Sequence, residues 1–150
     1  MKNRNGGFTI IELVITMVTA VILLDVALGA SGPALDRMSV SSARTTFAAL
    51  HARARVRAVE RGRNVSLFID PATDSAWVFD DNQVVEAIAF GTASGIDVTA
   101  TSRLELCLSP RGYADTDCNS FNSSVEVAFT RNGASSTVEV RPLGQLVLDD

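Results

Sequence analysis

The sequence predicts an α+β fold, a long N-terminal helix packed on antiparallel β-sheet, and three observations carry that expectation. An apolar run from Phe8 to Ala30 holds only two charges, Glu12 and Asp25. From Ala34 to Arg61 apolar residues recur at helical spacing, and after Gly62 the apolar period drops to two. The run of short strands that follows includes one Asn-Gly hairpin signal, so helix and sheet are segregated along the chain rather than alternating. The 150 residues leave room for one folded domain. They divide into a leader at 1–7, a membrane span at 8–30, an amphipathic continuation of the helix at 31–62 and an antiparallel β region at 63–150.

The leader is short and basic, with Lys2 and Arg4, and runs directly into the apolar stretch. At about 1.5 Å per residue, Phe8 to Ala30 makes a helix of roughly 34 Å, enough to cross a hydrocarbon core of about 30 Å. A secretory signal peptide is the rival, but its apolar core is only about 7–15 residues long and ends at a small-residue cleavage site. With the positive charges ahead of the span, the leader is expected in the cytoplasm and the remainder outside it. Glu12 is the costly residue, because a carboxylate in a membrane helix costs about 2.5–3.5 kcal/mol and so needs a partner or a role. It lies four residues after Phe8, about 6 Å along the axis. A cut between Gly7 and Phe8 would place the new amino group where a Glu12 carboxylate, of the same or a neighbouring chain, can pair with it.

The stretch Gly6-Gly7-Phe8-Thr9-Ile10-Ile11-Glu12-Leu13-Val14 resembles the class III signal sequence of type IV pilins and type II secretion pseudopilins. The resemblance implies cleavage between Gly7 and Phe8 by a prepilin peptidase and N-methylation of Phe8. It implies that Glu12 docks subunits into a helical filament. It also implies a place for the chain: a single pass in the bacterial inner membrane, the C-terminal domain outside the cytoplasm, then a filament or its tip. The partners it implies are other pilin or pseudopilin subunits, the peptidase and an inner-membrane assembly platform.

Asp25 falls about 26 Å beyond Phe8 along the helix, near the outer face of the bilayer, where it can reach water; a part in subunit packing is the alternative. Gly29, Gly32 and Pro33 follow, where a helix bends or loosens. In pilins a glycine or proline near this depth marks a stretch that can melt on assembly. Beyond them Leu35, Met38, Thr45, Ala49, Ala52, Val56 and Val59 form an apolar face, broadened by Phe47 and Leu50, expected to lie on the sheet. Gly62 suits the residue after the helix, and Arg57, Arg61 and Arg63 suit its negative end.

Strands are expected around Val65–Ile69, Ala76–Phe79, Val84–Ala89, Ile96–Thr101, Arg103–Leu108, Val125–Thr130, Thr137–Arg141 and Leu143–Leu148, with a loop at Gly91–Gly95. Arg131-Asn132-Gly133-Ala134 is the hairpin signal. Cys107 and Cys118 both fall in the exported part, where an even count favours a disulfide, worth roughly 3 kcal/mol for a loop of about a dozen residues. Two free thiols are the alternative, and zinc lacks further ligands.

The formal charge of −4 hides an asymmetry. Residues 44–63 carry six arginines against Glu60 alone, whereas residues 64–150 carry four arginines against thirteen acids. So acidic a globular region repels phosphate, and nucleic acid is not an expected partner. The arginine-rich helix face, with Arg53, Arg57 and Arg61, is expected to pair with acids of the sheet or of neighbouring subunits.

Leu50, Ala54, Ala58, Arg61-Gly62 and Val65-Ser66-Leu67 resemble the GspH/FimT group of minor pseudopilins, as do Ser109-Pro110-Arg111-Gly112 and Gly144-Gln145-Leu146. A DNA-binding minor pilin of a DNA-uptake pilus, using the Arg53, Arg57 and Arg61 stripe, is the alternative function; some of that group bind DNA through a basic C-terminus instead. The matching segment here ends in Asp149 and Asp150 and has no arginine. No catalytic motif, nucleotide loop or Cys/His cluster is present, and no enzyme activity, metal or cofactor is expected. Asp115-Thr116-Asp117 has part of a calcium-loop pattern without the rest of the ligand set.

Overall fold

The computed structural model describes residues 9–148, without the side chains of residues 26–28, 30 and 31. The chain divides into two compact units, Met1–Leu35 and Asp36–Asp150. The helix α1, Ile10–Arg61, has Pro33 inside it and contributes residues to both units. Among the described residues no helix is long and apolar enough to cross a membrane. The expected span at 8–30 includes Phe8 and four side chains that lie outside the described residues.

In the second unit α1 is followed by β1 Val65–Asp70, β2 Ser75–Asp80, β3 Gln83–Ala89, α2 Phe90–Ser94, β4 Asp97–Thr99, β5 Leu104–Leu108, β6 Val125–Arg131, β7 Ala134–Val140 and β8 Leu146–Leu148. The strands make two four-stranded antiparallel sheets, ordered β3-β2-β1-β5 and β4-β6-β7-β8. The expected loop at Gly91–Gly95 is the one local departure, since Phe90–Ser94 closes a single helical turn ended by Gly95 at φ 61°. Nothing in GTAS opposes a loop or a turn of helix; the burial of Phe90 against Phe129, with ring centroids 5.2 Å apart, favours the turn.

Alternation along the strands makes the core. Val65, Leu67 and Ile69 of β1, Ala76 and Val78 of β2 and Leu104, Leu106 and Leu108 of β5 are buried, and so are Val127 and Phe129 of β6 with Val138 and Val140 of β7. The hairpins are tight because their turn residues tolerate positive φ. Asp81 and Asn82 join β2 to β3 at 55° and 60°, and Asn132 and Gly133 join β6 to β7 at 47° and 85°.

The helix meets this core through Phe47 and Leu50 of the expected face and otherwise through residues outside it. Val40, Ala43, Phe47, Leu50, Ala54 and Ala58 are buried, whereas Leu35, Met38, Val56 and Val59 are 60%, 68%, 54% and 52% exposed. At about 100° per residue the two sets lie on opposite sides of the helix. The helical period reports both stripes equally. The stripe carrying Phe47 wins because its alanines let the sheets approach while its large side chains fill the space between them, Phe47 lying 5.9 Å from Phe129.

Charge fixes the end of the helix on the first sheet. Asp80, at the end of β2, is buried, and it accepts Arg57 Nε at 2.6 Å and pairs with Arg63 Nη2 at 2.8 Å. The Arg57 hydrogen bond, with both guanidinium charges, holds its carboxyl below the usual range against the opposing effect of burial. The two arginines reach water and the aspartate does not, so removing either side has unequal consequences. Replacing Arg57 and Arg63 together by Ala should cost about 3–5 kcal/mol, by stranding a buried carboxylate. Asp80→Asn should cost about 1–2 kcal/mol, because the arginines can rehydrate. Urea unfolding of the full chain in detergent measures both, and an equal cost would contradict this arrangement.

Candidate functional site

Two places in the molecule answer to the functional residues read from the sequence. The first is α1 from its start to Leu35. Gly7 and Phe8 lie outside the described residues. Thr9 precedes the helix and caps it, its hydroxyl accepting Glu12 N at 3.3 Å while its carbonyl accepts Leu13 N at 3.2 Å. The Thr9-x-x-Glu12 spacing is that of a capping box, a signal legible in the sequence that the pilin-like reading had passed over. Glu12 is exposed, and so is Asp25. The threonines hide their polarity within the helix: Thr16 donates to Leu13 O at 2.9 Å, and Thr19 to Ile15 O and Thr16 O at 2.9 and 3.0 Å.

What remains on this helix is an apolar surface on every side. Ile10, Ile11, Leu13, Val14, Ile15, Met17, Val18, Val21, Ile22, Leu23 and Leu24 are all between 48% and 85% exposed. A surface helix of a globular domain keeps a polar face towards water; this one has Glu12 and Asp25 as its charges. Covering side chains of these sizes is worth about 1.5–3 kcal/mol each.

The second place is where the loop after β5, the turn before β8 and the C-terminal half of α1 meet. Ser109-Pro110-Arg111-Gly112 forms a tight turn, with Gly112 N donating to Ser109 O at 3.0 Å and the Ser109 hydroxyl to Tyr113 O at 2.6 Å. Cys107 and Cys118 are joined by a disulfide, their Cα atoms 5.7 Å apart. The Glu105 carboxylate is close to both sulfurs, but joined sulfurs are no longer thiolate donors for a metal. Asp115 serves the loop itself, accepting Asp117 N at 3.2 Å and the Asn64 side-chain amide at 3.4 Å.

Gly144 is the residue on which these segments converge. Its φ is +79°, and a Cβ there would stand 3.1 Å from both the Cβ and the N of Ala114. Its carbonyl accepts Arg55 Nη2 from the helix, while Ala114 N donates to Leu143 O at 3.0 Å and the Asn119 amide to Pro142 O at 2.7 Å. The two loose motifs of the sequence, around Ser109 and around Gly144, are therefore one packed junction. Beside it opens a pocket of about 490 Å³ lined by Asn64, Pro110, Tyr113, Asp115, Thr116 and Leu143.

His51 is buried at this junction, a residue the sequence reading gave no role. Its Nε2 has no hydrogen-bond partner among the described residues. Burial, reinforced by the neighbouring Arg55 charge, pushes its pKa down to about 4, against a hydrogen bond to the Gly144 backbone that works the other way. Of the arginine stripe, Arg53 is bonded to Glu86 through Nε at 3.0 Å and Nη2 at 2.6 Å, and Arg57 to Asp80. Arg61 makes no ion pair among the described residues.

Two crystal structures of the type IV minor pilin FimU of Pseudomonas aeruginosa share this arrangement of helix and sheets. One matches over 76% of this chain and 90% of its own, with a TM-score of 0.54 at 13% identity. The chain has the pilin fold. The second structure matches over 73% of this chain and 92% of its own, with a TM-score of 0.52 at 13% identity. No protein-family model matches the chain, and no curated protein matches it. The pilin fold accords with the narrower GspH/FimT likeness of the two loop motifs.

Two predictions concern the junction. The folded state resists protonation of His51 until about pH 4, while the unfolded chain takes up the proton near 6.5. The contribution of His51 is thus complete above about pH 6.5 and is lost as the pH falls towards 4, by about 3 kcal/mol in all. Urea midpoints at pH 7 and pH 4 should differ less in His51→Gln than in the parent chain; an equal difference would refute the assignment. Gly144→Ala should destabilise by about 1–3 kcal/mol through the strained φ and the contact with Ala114, and an unchanged melting temperature would contradict it.

Proposed function

We propose that this chain is a minor pilin-like structural subunit, processed between Gly7 and Phe8, methylated at Phe8 and assembled through its N-terminal helix into a type IV pilus or a type II secretion pseudopilus. The observation that carries the reading is the all-round exposure of large apolar side chains from Ile10 to Leu24. Such a surface needs a cover, and the reading supplies two in succession: the bilayer before assembly, then the helices of neighbouring subunits. The likeness to a type IV minor pilin at the level of fold supports it.

Each marked residue has a place in this account. Glu12 lies one turn into the helix, where its carboxylate meets the Phe8 amino group of a neighbour. Asp25 lies near the outer face of the membrane. The leader is cytoplasmic, and the sheets stand outside the inner membrane. The second apolar stripe of α1, with Met38, Val56 and Val59, offers further contact to neighbouring subunits. Partners are the other subunits, the prepilin peptidase and the assembly platform of the inner membrane. The work is structural rather than catalytic.

The test is the intact mass and N-terminal sequence of the protein from membranes with and without a prepilin peptidase. The expected product begins at methylated Phe8, and Glu12→Ala should be processed normally yet fail to enter filaments. A chain that still begins at Met1 in the presence of the peptidase would sink the proposal.

A further inference from the structure

The outer edges of the two sheets are not treated alike. β5 is closed by the loop that follows it. Asp115 N donates to Cys107 O and Ser120 N to Glu105 O, while Glu105 N donates to the Ser120 hydroxyl and Cys107 N to the Asn119 side-chain oxygen, all at 2.8–3.1 Å. The disulfide pins that loop in place. β4 has three residues, and Asp74 Oδ1 accepts its Val98 N at 2.7 Å. β8 also has three residues. β3 has seven, and among the described residues its outer backbone groups have no partner up to the N–H of Ala89, whose carbonyl, at the N-cap of α2, accepts the first bond of that helix.

The groups that face outward follow from the ladder. Phe90 N donates to Asp74 O at 2.8 Å, and Ala76 pairs with Ile88 and Val78 with Glu86. Hydrogen bonds in an antiparallel ladder fall on alternate pairs, so Ile88 and Glu86 bond to β2 and the N–H and C=O of Ala87 and Ala89 turn away from it. Sheet edges are commonly guarded by lysine, proline or an inward charge. Gln83-Val84-Val85-Glu86-Ala87-Ile88-Ala89 has neither lysine nor proline, and its one charge is held by Arg53. Between this strand and α1 runs a groove of about 400 Å³ lined by Ala52, Ala54, Val56, Val78 and Val85, with Arg53 and Glu86, paired to each other, and Arg57, paired to Asp80, also on its walls. Glu60, also on its wall, makes no ion pair among the described residues.

We propose that β3 is the attachment edge for an extended strand of another polypeptide, apolar at alternate positions and basic at the end that meets Glu60. The backbone of such a strand would pair with Ala87 and with the N–H of Ala89, and every second side chain would enter the groove, which is the division of labour in strand addition. A second copy of β3 fits less well, because antiparallel self-pairing centred on the outward Ala87 sets each Glu86 carboxylate against Ile88 of the other copy. The inference stands on the sheet edge and does not depend on the filament reading.

The test is amide hydrogen exchange of the full chain in detergent, with a seven-residue peptide that alternates valine and threonine and ends in lysine. The amides of Ala87 and Ala89 should exchange at least about tenfold more slowly with millimolar peptide than without it. Ala87→Pro removes an outward donor and no bond to β2, so it should keep its urea midpoint and lose protection at Ala89. Ala87→Lys, which leaves the backbone intact and adds an edge charge, should weaken the protection several-fold. No slowing in the parent chain, or equal slowing at Ala89 in both variants, overturns the proposal. Protection that appears without peptide and grows with protein concentration also overturns it, by giving the edge to a second copy.

Discussion

The globular unit depends on one stripe of α1, in which Phe47, Leu50, Ala54 and Ala58 have essentially no exposed surface. Sheets twist and a helix is round, so both sheets reach one helix only where its side chains alternate between thin and bulky. Ala43, Ala54 and Ala58 are the thin places, and Phe47 and Leu50 the bulky ones. Phe47 meets Phe129, which in turn meets Phe90, and this aromatic chain ties the helix, the second sheet and the short α2 to one core. The strand alternation described above has a single object, to present its inner face to that stripe.

Electrostatics orients what the apolar stripe attracts. A buried helix face does little to resist sliding along or rotating about its axis, whereas ion pairs at its margin do. Arg53 reaches Glu86, Arg57 and Arg63 reach Asp80, and towards the other end of the unit Arg131 reaches Asp36 at 2.9 Å. The charge asymmetry of the chain is thus internal bookkeeping between helix and sheet. Arg103 belongs to the same economy of side chains, its guanidinium lying 4.9 Å from the ring centres of both Phe68 and Trp77 on the outer face of the first sheet. Of the six arginines at 44–63, Arg53, Arg57 and Arg63 are held by the protein's own acids and Arg55 by the Gly144 carbonyl.

The N-terminal helix follows the opposite rule. Its large apolar side chains are exposed on all sides, and its threonines turn their hydroxyls back to the helix carbonyls. A single 52-residue helix therefore carries segments suited to different surroundings, and the change between them falls close to Pro33, where a backbone donor is missing. The sheets cover one segment, and the large apolar side chains of the other stay exposed.

The sequence by itself determined the class of fold, the extent of the helix to Gly62 and the hairpin at Asn132-Gly133, because each rests on a local pattern; it favoured a Cys107–Cys118 bridge over free thiols, and the structure forms that bridge. The period of two placed all eight strands to within three residues at either end. Tertiary structure decided which apolar stripe of α1 is buried, because two stripes of the same period differ only in what they pack against. It decided that Asp80, ordinary in a turn, is a buried anchor, and that His51 is held neutral beside Gly144. It also brought the Ser109 and Gly144 motifs together and left β3 uncovered. These are contacts between residues tens of positions apart, and nothing in a local pattern states which distant surface a side chain will meet.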